Sequence, residues 1–531
     1  MIEAAESIIK SLEIEGVDVV FGYPGAMIMP LYEKLCESKI RHVLMRSETA
    51  AGHAASGYAR MKGTAGVCFA TSGPGAVNLI QPLATAYADS IPIIAFTGQV
   101  AVRDIGTDAF QEADITGAAE PFVKYSYLVK DAKDLPHIIK EAFYIAKSGR
   151  NGPVLIDLPV DVQRELIEFN YPESIAVRTY KPTVKANMMQ IKRIAAALEA
   201  AQKPLIIAGG GIFGGGAVNE FRQFIKKAGF PVVTTMMGLG LLPEHDPKSL
   251  GMIGLYGKKS ANLAVKNADL LCLIGARVGD RAVRAEDFQS HDKTIIHIDV
   301  DPAEIGKNIK TDIPLVGECK YILNELTEII TKKCDFIPPK TLPQPKEDFT
   351  DFAVFLNPKR LINAISEVCG ENTVVAADAG QNQIWAARNF TVKNGRFIVS
   401  GGMGTMGYSI PAAIGVSIAE PLREIFVFCG DGSFQMMMGE LAVIRNEKLP
   451  LKIILMNNSR LGMVYEAQKE INGSFTDLSG GNPDFIKIAE AYGIDSMRIS
   501  DNDDIKRAVE FLSSGGAKLL ECIISEEETT K

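Results

Sequence analysis

Short apolar runs recur along the chain, separated by stretches with helical spacing. Asp18-Val19-Val20-Phe21-Gly22, Gly66-Val67-Cys68-Phe69-Ala70, Ile91-Pro92-Ile93-Ile94-Ala95-Phe96 and Val154-Leu155-Ile156-Asp157 do not alternate with polar residues, so each reads as a strand buried on both faces. Similar runs fall near 204–208, 231–235, 270–274 and 294–299, and again at Ile425–Cys429 and Leu451–Met456. Strands alternating with helices predict parallel sheets with helices on both sides. Two stretches break the rhythm. Residues 166–187 are mixed and proline-containing, and residues 333–356 carry Pro338, Pro339, Pro343 and Pro345 among scattered charges; both read as linkers. A chain of 531 residues exceeds one core. The expectation is α/β throughout: three doubly wound parallel-sheet domains at 1–165, 188–332 and 357–531. The first and third echo each other. Gly66 to Gly98 runs strand, Ser-Gly-Pro-Gly loop, helix, strand; Ile425 to Asn458 runs strand, Gly-Asp-Gly loop, helix (Gln435 to Glu447), strand.

Composition narrows the function classes. The formal net charge of −8 and the lack of a long basic run argue against nucleic acid as the main partner. No apolar run is long enough to span a membrane. The acidic start, Met1-Ile2-Glu3-Ala4-Ala5-Glu6, reads as an amphipathic helix and not as a secretory signal. Eight cysteines are scattered singly, and Cys68, Cys272 and Cys429 fall within apolar runs, as buried free thiols of a reducing cytoplasm would. Six histidines show no metal-ligand spacing, and His297 reads as a structural strand residue.

The chemistry gathers at Gly430-Asp431-Gly432, with Ser433 next in line, and at Asn457-Asn458 after 24 residues (433 to 456). Each polar group follows an apolar strand, and a right-handed crossover between parallel strands brings both to one sheet edge, where ligands of open α/β sheets collect. A carboxylate on Asp431, the amide oxygen of Asn458 and the main-chain carbonyl of Arg460 suit a hard cation such as Mg²⁺, whose remaining positions two phosphate oxygens and a water would fill. Gly430 and Gly432 let the backbone approach a diphosphate. The spacing resembles the thiamine diphosphate enzyme motif. On that reading Glu48, where an apolar strand gives way to a small-residue helix, shares a proton with the cofactor's aminopyrimidine N1′. Burial would raise its carboxyl pKa and suit it to that task. Without the motif, Glu48 would be only an acid at the positive end of a helix dipole. In Ser400–Tyr408, Met406 offers an apolar wedge that bends the cofactor and the Gly404 carbonyl an acceptor for its 4′-amino group; the alternative is a glycine-rich turn with core methionines.

Together with Phe21–Gly25, Thr71–Gly75, Phe96–Val100, Gly106–Asp114, Gly275–Arg277, Asp280-Arg281, Ile298–Asn308 and Gly380–Ala387, these stretches resemble the acetohydroxyacid (acetolactate) synthase catalytic subunits over nearly the whole length. The runs GTDAFQEAD and DPAEIGKN are the most specific. The resemblance implies decarboxylation of pyruvate and carboligation of the two-carbon unit to a second 2-oxoacid, giving acetolactate for branched-chain amino acid biosynthesis. It implies that Glu48 and Asp431 serve one cofactor from two chains, so a homodimer is the smallest active unit; a tetramer and a small regulatory subunit stay open. It puts Phe110 and Gln111 by the substrate and links Arg281 to the acceptor. Pro24, Gly25, Gly73, Gln381, Asn382, Gly432, Ser433, Gly462 and Met463 would line thiamine diphosphate. The central domain would take FAD, through the glycine loop at Gly209 and Gly210 with Arg277 and Asp299.

Four positions depart from the family pattern. Asn382 stands where the synthases usually carry His, Val160 often corresponds to Lys, Ile253 replaces a usual His near the flavin, and Ala467 stands where a Trp usually borders the substrate channel. They bear on acceptor choice and flavin binding and leave the thiamine diphosphate machinery intact. The alternatives are a related 2-oxoacid decarboxylase or acyl-transferring lyase, and a non-catalytic nucleotide-binding paralogue.

Overall fold

The computed structural model describes residues 1–282, 288, 293–338, 355–471 and 481–530. They form two compact units. One comprises Met1–Lys181 with Ser400–Leu422 and Met437–Leu449, the other Pro182–Val399, Arg423–Met436 and Pro450–Lys531. The proline-rich expectation at 333–356 falls largely on residues outside those described; 333–338 carry no regular structure.

The first unit holds a six-stranded parallel sheet in the spatial order Arg41–Leu44, Val19–Gly22, Gly66–Ala70, Ile93–Gln99, Val154–Pro159, Tyr125–Leu128. The second unit holds two. One runs Ser249–Met252, Val232–Thr234, Pro204–Ala208, Leu270–Ile274, Thr294–Asp299, Ile313–Val316; the other runs Arg396–Ile398, Val374–Ala377, Ile425–Gly430, Lys452–Asn457, Lys518–Ile523, Asp495–Ile499. All their pairings are parallel. Numbered along the chain, the first and last sheets share the order 2-1-3-4-6-5, so the echo in the sequence is an echo of topology. The central sheet has the order 3-2-1-4-5-6 of doubly wound nucleotide-binding folds. In each, the order reverses beside the first strand, which fixes where a ligand crevice opens.

The uniform apolar runs are explained by burial on both faces: every residue of Gly66–Ala70, Leu270–Ile274 and Lys452–Asn457 is buried. The helix Glu48–Lys62 is small-residue for a related reason. Gly66 presses on it from the strand side, where a Cβ would sit 2.1 Å from the Ala55 carbonyl oxygen. On its other side lies the helix Ser409–Ala419. A Cβ on Gly57 would come within 2.0 Å of the Ala412 carbonyl oxygen, and one on Gly415 within 1.9 Å of the Ala54 carbonyl oxygen. Such backbone approach is open only to glycine.

Two local expectations are corrected. The stretch read as a linker from 166 opens with a strand, Leu166–Ile167, antiparallel to Ile2–Glu3, and the amphipathic helix expected at the N-terminus follows as Ala4–Ile14. The helix expected over Gln435 to Glu447 is broken into Asp431–Met437, a 3₁₀ turn at Met438–Glu440 and Leu441–Asn446. The turn drives the Glu440 carboxylate inward to accept the Arg46 N–H at 3.1 and 3.2 Å, which a continuous helix would not do.

Because the atoms facing Gly57 and Gly415 are main chain, Gly415→Ala is expected to cost about 1–3 kcal/mol as overpacking. The check is its thermal midpoint; an unchanged midpoint would show that the helices part freely.

Candidate active site

In the last sheet, Ile425–Gly430 and Lys452–Asn457 are in register from Phe426 opposite Lys452 to Gly430 opposite Met456. Asp431 and Asn457-Asn458 therefore leave the sheet side by side. Asp431 starts its helix and is 4% exposed. Its Oδ1 accepts the Gly432 N–H at 2.9 Å, and its Oδ2 accepts Asn482 Nδ2 at 2.7 Å. Burial pushes its carboxyl pKa up, and Asn482 is the foremost group opposing that shift. The amide oxygen of Asn458 accepts only a long bond from the Arg460 N–H, 3.3 Å, while its Nδ2 donates to Gln381 Oε1 at 2.8 Å.

Gln381 and Asn382 enter from the neighbouring strand end, at the start of the helix Gln381–Asn389. Gly462 permits the approach, since a Cβ there would overlap Gln381 Oε1 at 1.8 Å; Met463 beside it is half-buried. Two buried oxygens in this cradle lack a protein partner: Ser433 Oγ, on a residue 1% exposed, and Asn382 Oδ1, on one 3% exposed. Buried polar groups are seldom left unpaired. A hydroxyl and an amide wanting partners beside a carboxylate and an amide oxygen fit a metal-bound diphosphate.

No local pattern along the chain marks what steadies this cradle. Gln381 Nε2 donates to Glu466 Oε1 (2.5 Å) and to the Glu528 carbonyl (2.8 Å). Glu466 in turn accepts the Thr530 N–H at 3.0 Å and its hydroxyl at 2.8 Å, and Trp385 Nε1 donates to the Thr529 carbonyl at 2.9 Å. Arg460 pairs with Glu526 and Glu527 and lies over the Tyr465 ring. The chain's last described residues thus brace both helices that carry the cradle. Asn482, in a Gly-Asn-Pro-Asp stretch that looks like a turn, was also missed.

The first unit assembles another set. Glu48 opens its helix behind Ser47, whose hydroxyl caps it by accepting the Ala50 N–H at 3.1 Å. Behind Ser47, Glu440 holds Arg46; burial pushes the Glu440 carboxyl up to about 7, against the Arg46 N–H. Glu48 itself is half-buried and not enclosed as expected, and Asn78 Nδ2 donates to its Oε2 at 3.0 Å. Pro24 and Gly25 follow the first strand, with Gly25 against Thr71. Gly73 lies against Gln111, which adopts a positive φ of 63°. Phe110 is 83% exposed. Their loop is tied down from within: Glu112 accepts the Gly106 and Ala109 N–H groups, and Gln99 Nε2 donates to the Ala113 carbonyl at 2.8 Å and to Asp157 Oδ2 at 3.0 Å. Thr97 donates to Asp157 Oδ1 at 2.7 Å. The loop carrying Gly404 and half-buried Met406 is fastened by Asp89, which accepts the Gly401 and Gly402 N–H groups at 3.1 and 2.7 Å while paired with buried Arg60.

The central-domain residues belong to the other sheet of the second unit. Gly209 and Gly210 follow the first strand of the central sheet, at its order reversal, and Arg277 follows the fourth. Asp299 ends the next strand and accepts the Asp301 N–H at 2.9 Å. Close packing accounts for the glycines: a Cβ on Gly209 would meet the Gly275 carbonyl oxygen at 2.2 Å, and the Gly209 and Gly211 N–H groups donate to Ile274 and Gly275. The following helix, Gly211–Gly214, is a single turn. Arg281 is exposed and pairs with neighbouring Asp280 at 3.6 Å. His297 and Cys68, Cys272 and Cys429 are buried in strands as expected, and burial pushes the Cys68 thiol up to about 12.

The chain matches three family models of thiamine pyrophosphate enzymes: the N-terminal TPP binding domain over residues 2–118, the central domain over 191–326 and the C-terminal TPP binding domain over 378–522. A thiamine pyrophosphate enzyme is thus the class that fold and site define. Among curated proteins it is 43% identical to a probable acetolactate synthase large subunit of Methanocaldococcus jannaschii, over 99% of this chain and 92% of the relative. It is 42% identical to an acetolactate synthase of Mycobacterium bovis (94% and 84% covered) and 40% identical to the acetolactate synthase large subunit of Lactococcus lactis (99% and 93%). The chain belongs to the acetolactate synthase large-subunit family of thiamine pyrophosphate enzymes, and it is an enzyme of that type. Among the described residues no helix is long and apolar enough to cross a membrane.

Asp157 gives a signed prediction. Burial raises its carboxyl from 3.8 to about 7, despite the hydrogen bonds from Thr97 and Gln99. The folded state then holds a proton that the unfolded chain releases, so this group's contribution to stability declines as pH rises from roughly 4 to 7. Asp157→Asn should flatten that decline in melting temperature. An identical pH profile for both proteins would remove the assignment.

Proposed function

We propose that this enzyme decarboxylates pyruvate and joins the resulting two-carbon unit to a second 2-oxoacid, releasing acetolactate. The observation that carries the reading is the cradle at the end of the last sheet: Asp431 and Asn458 from adjacent strands, Gln381 bonded to Asn458, and the buried, unpartnered oxygens of Ser433 and Asn382 on the helices that begin there. Asp431, Asn458 and the Arg460 carbonyl hold Mg²⁺, whose oxygen preference they match. Gln381, Asn382, Gly432, Ser433, Gly462 and Met463 hold the diphosphate. Bound there, thiamine diphosphate supplies a nucleophilic carbon for the ketone of a 2-oxoacid and an electron sink as CO₂ leaves. Glu48 holds a proton against N1′ of the aminopyrimidine, and Asn78 keeps that carboxylate aimed. Pro24, Gly25 and Gly73, with Met406 and the Gly404 carbonyl, shape the ring end. Gln111 and Phe110 orient the substrate, and Arg281 meets the acceptor's carboxylate.

In this reading Glu48 of one copy and Asp431 of another complete each site, in a homodimer or a tetramer of such dimers. Relatives named as large subunits suggest a small regulatory subunit as a further partner. A cytoplasmic location fits the free thiols. Flavin in the central domain, through Gly209, Gly210, Arg277 and Asp299, rests on family likeness and on the 3-2-1-4-5-6 strand order. A second reading draws on Ala467: with no bulky side chain there, the acceptor preference differs from that of Trp-bearing synthases, or a decarboxylase or acyl-transfer outcome prevails.

Incubation with pyruvate, thiamine diphosphate and Mg²⁺, with and without 2-oxobutyrate, should yield acetolactate by chromatography; acetaldehyde or acetyl phosphate alone would favour the second reading. Glu48→Gln should lower turnover by about 10²–10⁴-fold while calorimetry shows the cofactor still bound. Undiminished turnover would remove Glu48 from its role.

A further inference from the structure

Asn482 is the residue that ties both arms of the cradle together. Its Nδ2 donates one hydrogen to Asp431 Oδ2 at 2.7 Å and the other to Asn457 Oδ1 at 2.8 Å. Its Oδ1 accepts Gln435 Nε2 at 3.0 Å, and Gln435 lies one turn beyond Asp431 on the same short helix. Asn457 is fixed on its other side, where Nδ2 donates to buried Glu521 at 2.8 Å. One side chain therefore clamps the end of one strand to the helix that begins at the end of the next.

The bonds fall on oxygens that a cation does not need. An ionised carboxylate offers about four lone-pair directions. Asn482 engages Oδ2, while Oδ1 accepts the adjacent Gly432 N–H at 2.9 Å and the Ser459 N–H also faces the carboxylate. It bonds Asn457 and not Asn458, whose amide oxygen carries only the 3.3 Å contact from Arg460. A side chain competing with the ion would instead engage Asn458. Ligating carboxylates are commonly steered by such an outer hydrogen bond.

We infer that Asn482 is a positioning residue for the divalent cation: it fixes the rotation of the Asp431 carboxylate and its spacing from the Asn457-Asn458 strand end. This rests on the metal-diphosphate reading given above. The amide acts through Asp431 and does not touch the ion.

The test is the affinity for Mn²⁺ in the presence of thiamine diphosphate, measured by isothermal titration calorimetry on the full chain. Asn482→Leu removes both the donor and the acceptor at nearly constant volume, and should weaken Mn²⁺ by about 10–100-fold. Gln435→Leu, at an exposed position, removes only the bond that aims the amide and should weaken Mn²⁺ in the same direction by a smaller factor. Unchanged or tighter binding in a folded Asn482→Leu overturns the inference, the tighter result making Asn482 a competitor of the ion. Should that variant fail to fold, Gln435→Leu decides alone by the same criterion. Failure of the parent protein to bind Mn²⁺ with thiamine diphosphate would overturn the metal-diphosphate reading itself, a result distinct from a parent that binds and variants that match it.

Discussion

The site depends on one pairing of strands. Ile425–Gly430 and Lys452–Asn457 lie parallel with Gly430 opposite Met456, and this alone puts a carboxylate and an amide, distant in sequence, at one level of one sheet edge. A register shift of one residue would turn the alternating side chains to opposite faces. Burial of both faces of the two strands protects the register, because any slip would exchange the positions of large apolar groups in a packed interior. The neighbouring strand Val374–Ala377 adds Gln381 and Asn382 at the reversal of strand order, where the connections leave the sheet in opposite directions.

The proposed proton-sharing acid has a different support. Glu48 stands at the head of a helix pressed between a strand and another helix, and that helix has little freedom to move because the contacts are backbone to backbone at Gly57, Gly66 and Gly415. Polar groups then set the fine position: Ser47 caps, Glu440 holds Arg46, Asn78 meets the carboxylate. Buried Arg60 and Asp89 form an ion pair whose remaining acceptor capacity pins the Gly401-Gly402 turn. Such a pair adds little net stability against an apolar substitute, yet removing one partner is costly. Its value here is to hold a loop in place.

Much of this was legible in the sequence. Strands buried on both faces appear as unbroken apolar runs, and the Gly-Asp-Gly and Asn-Asn stretches announce themselves because their partners follow at a short, fixed crossover. The shared topology of first and last sheets was visible as a repeated strand-loop-helix-strand plan. What stayed hidden has long-range causes. The break in the helix after Met437 brings Glu440 to the Arg46 N–H, 394 positions apart. Asn482 meets Asp431 across 51 positions, and Gln381 meets Glu528 across 147, with no local pattern to mark either. The glycines after Ala208 show a second long-range cause, since the passage of Gly275 and Ala276 leaves no room for a Cβ on Gly209.

The central claim is that Asp431 and Asn458 anchor thiamine diphosphate through a divalent ion. Calorimetric titration of thiamine diphosphate into the protein, with Mg²⁺ saturating and then removed by chelation, tests it most directly. The account requires saturable binding that vanishes with the metal and in Asp431→Ala; binding of equal strength without metal, or none with it, would contradict it.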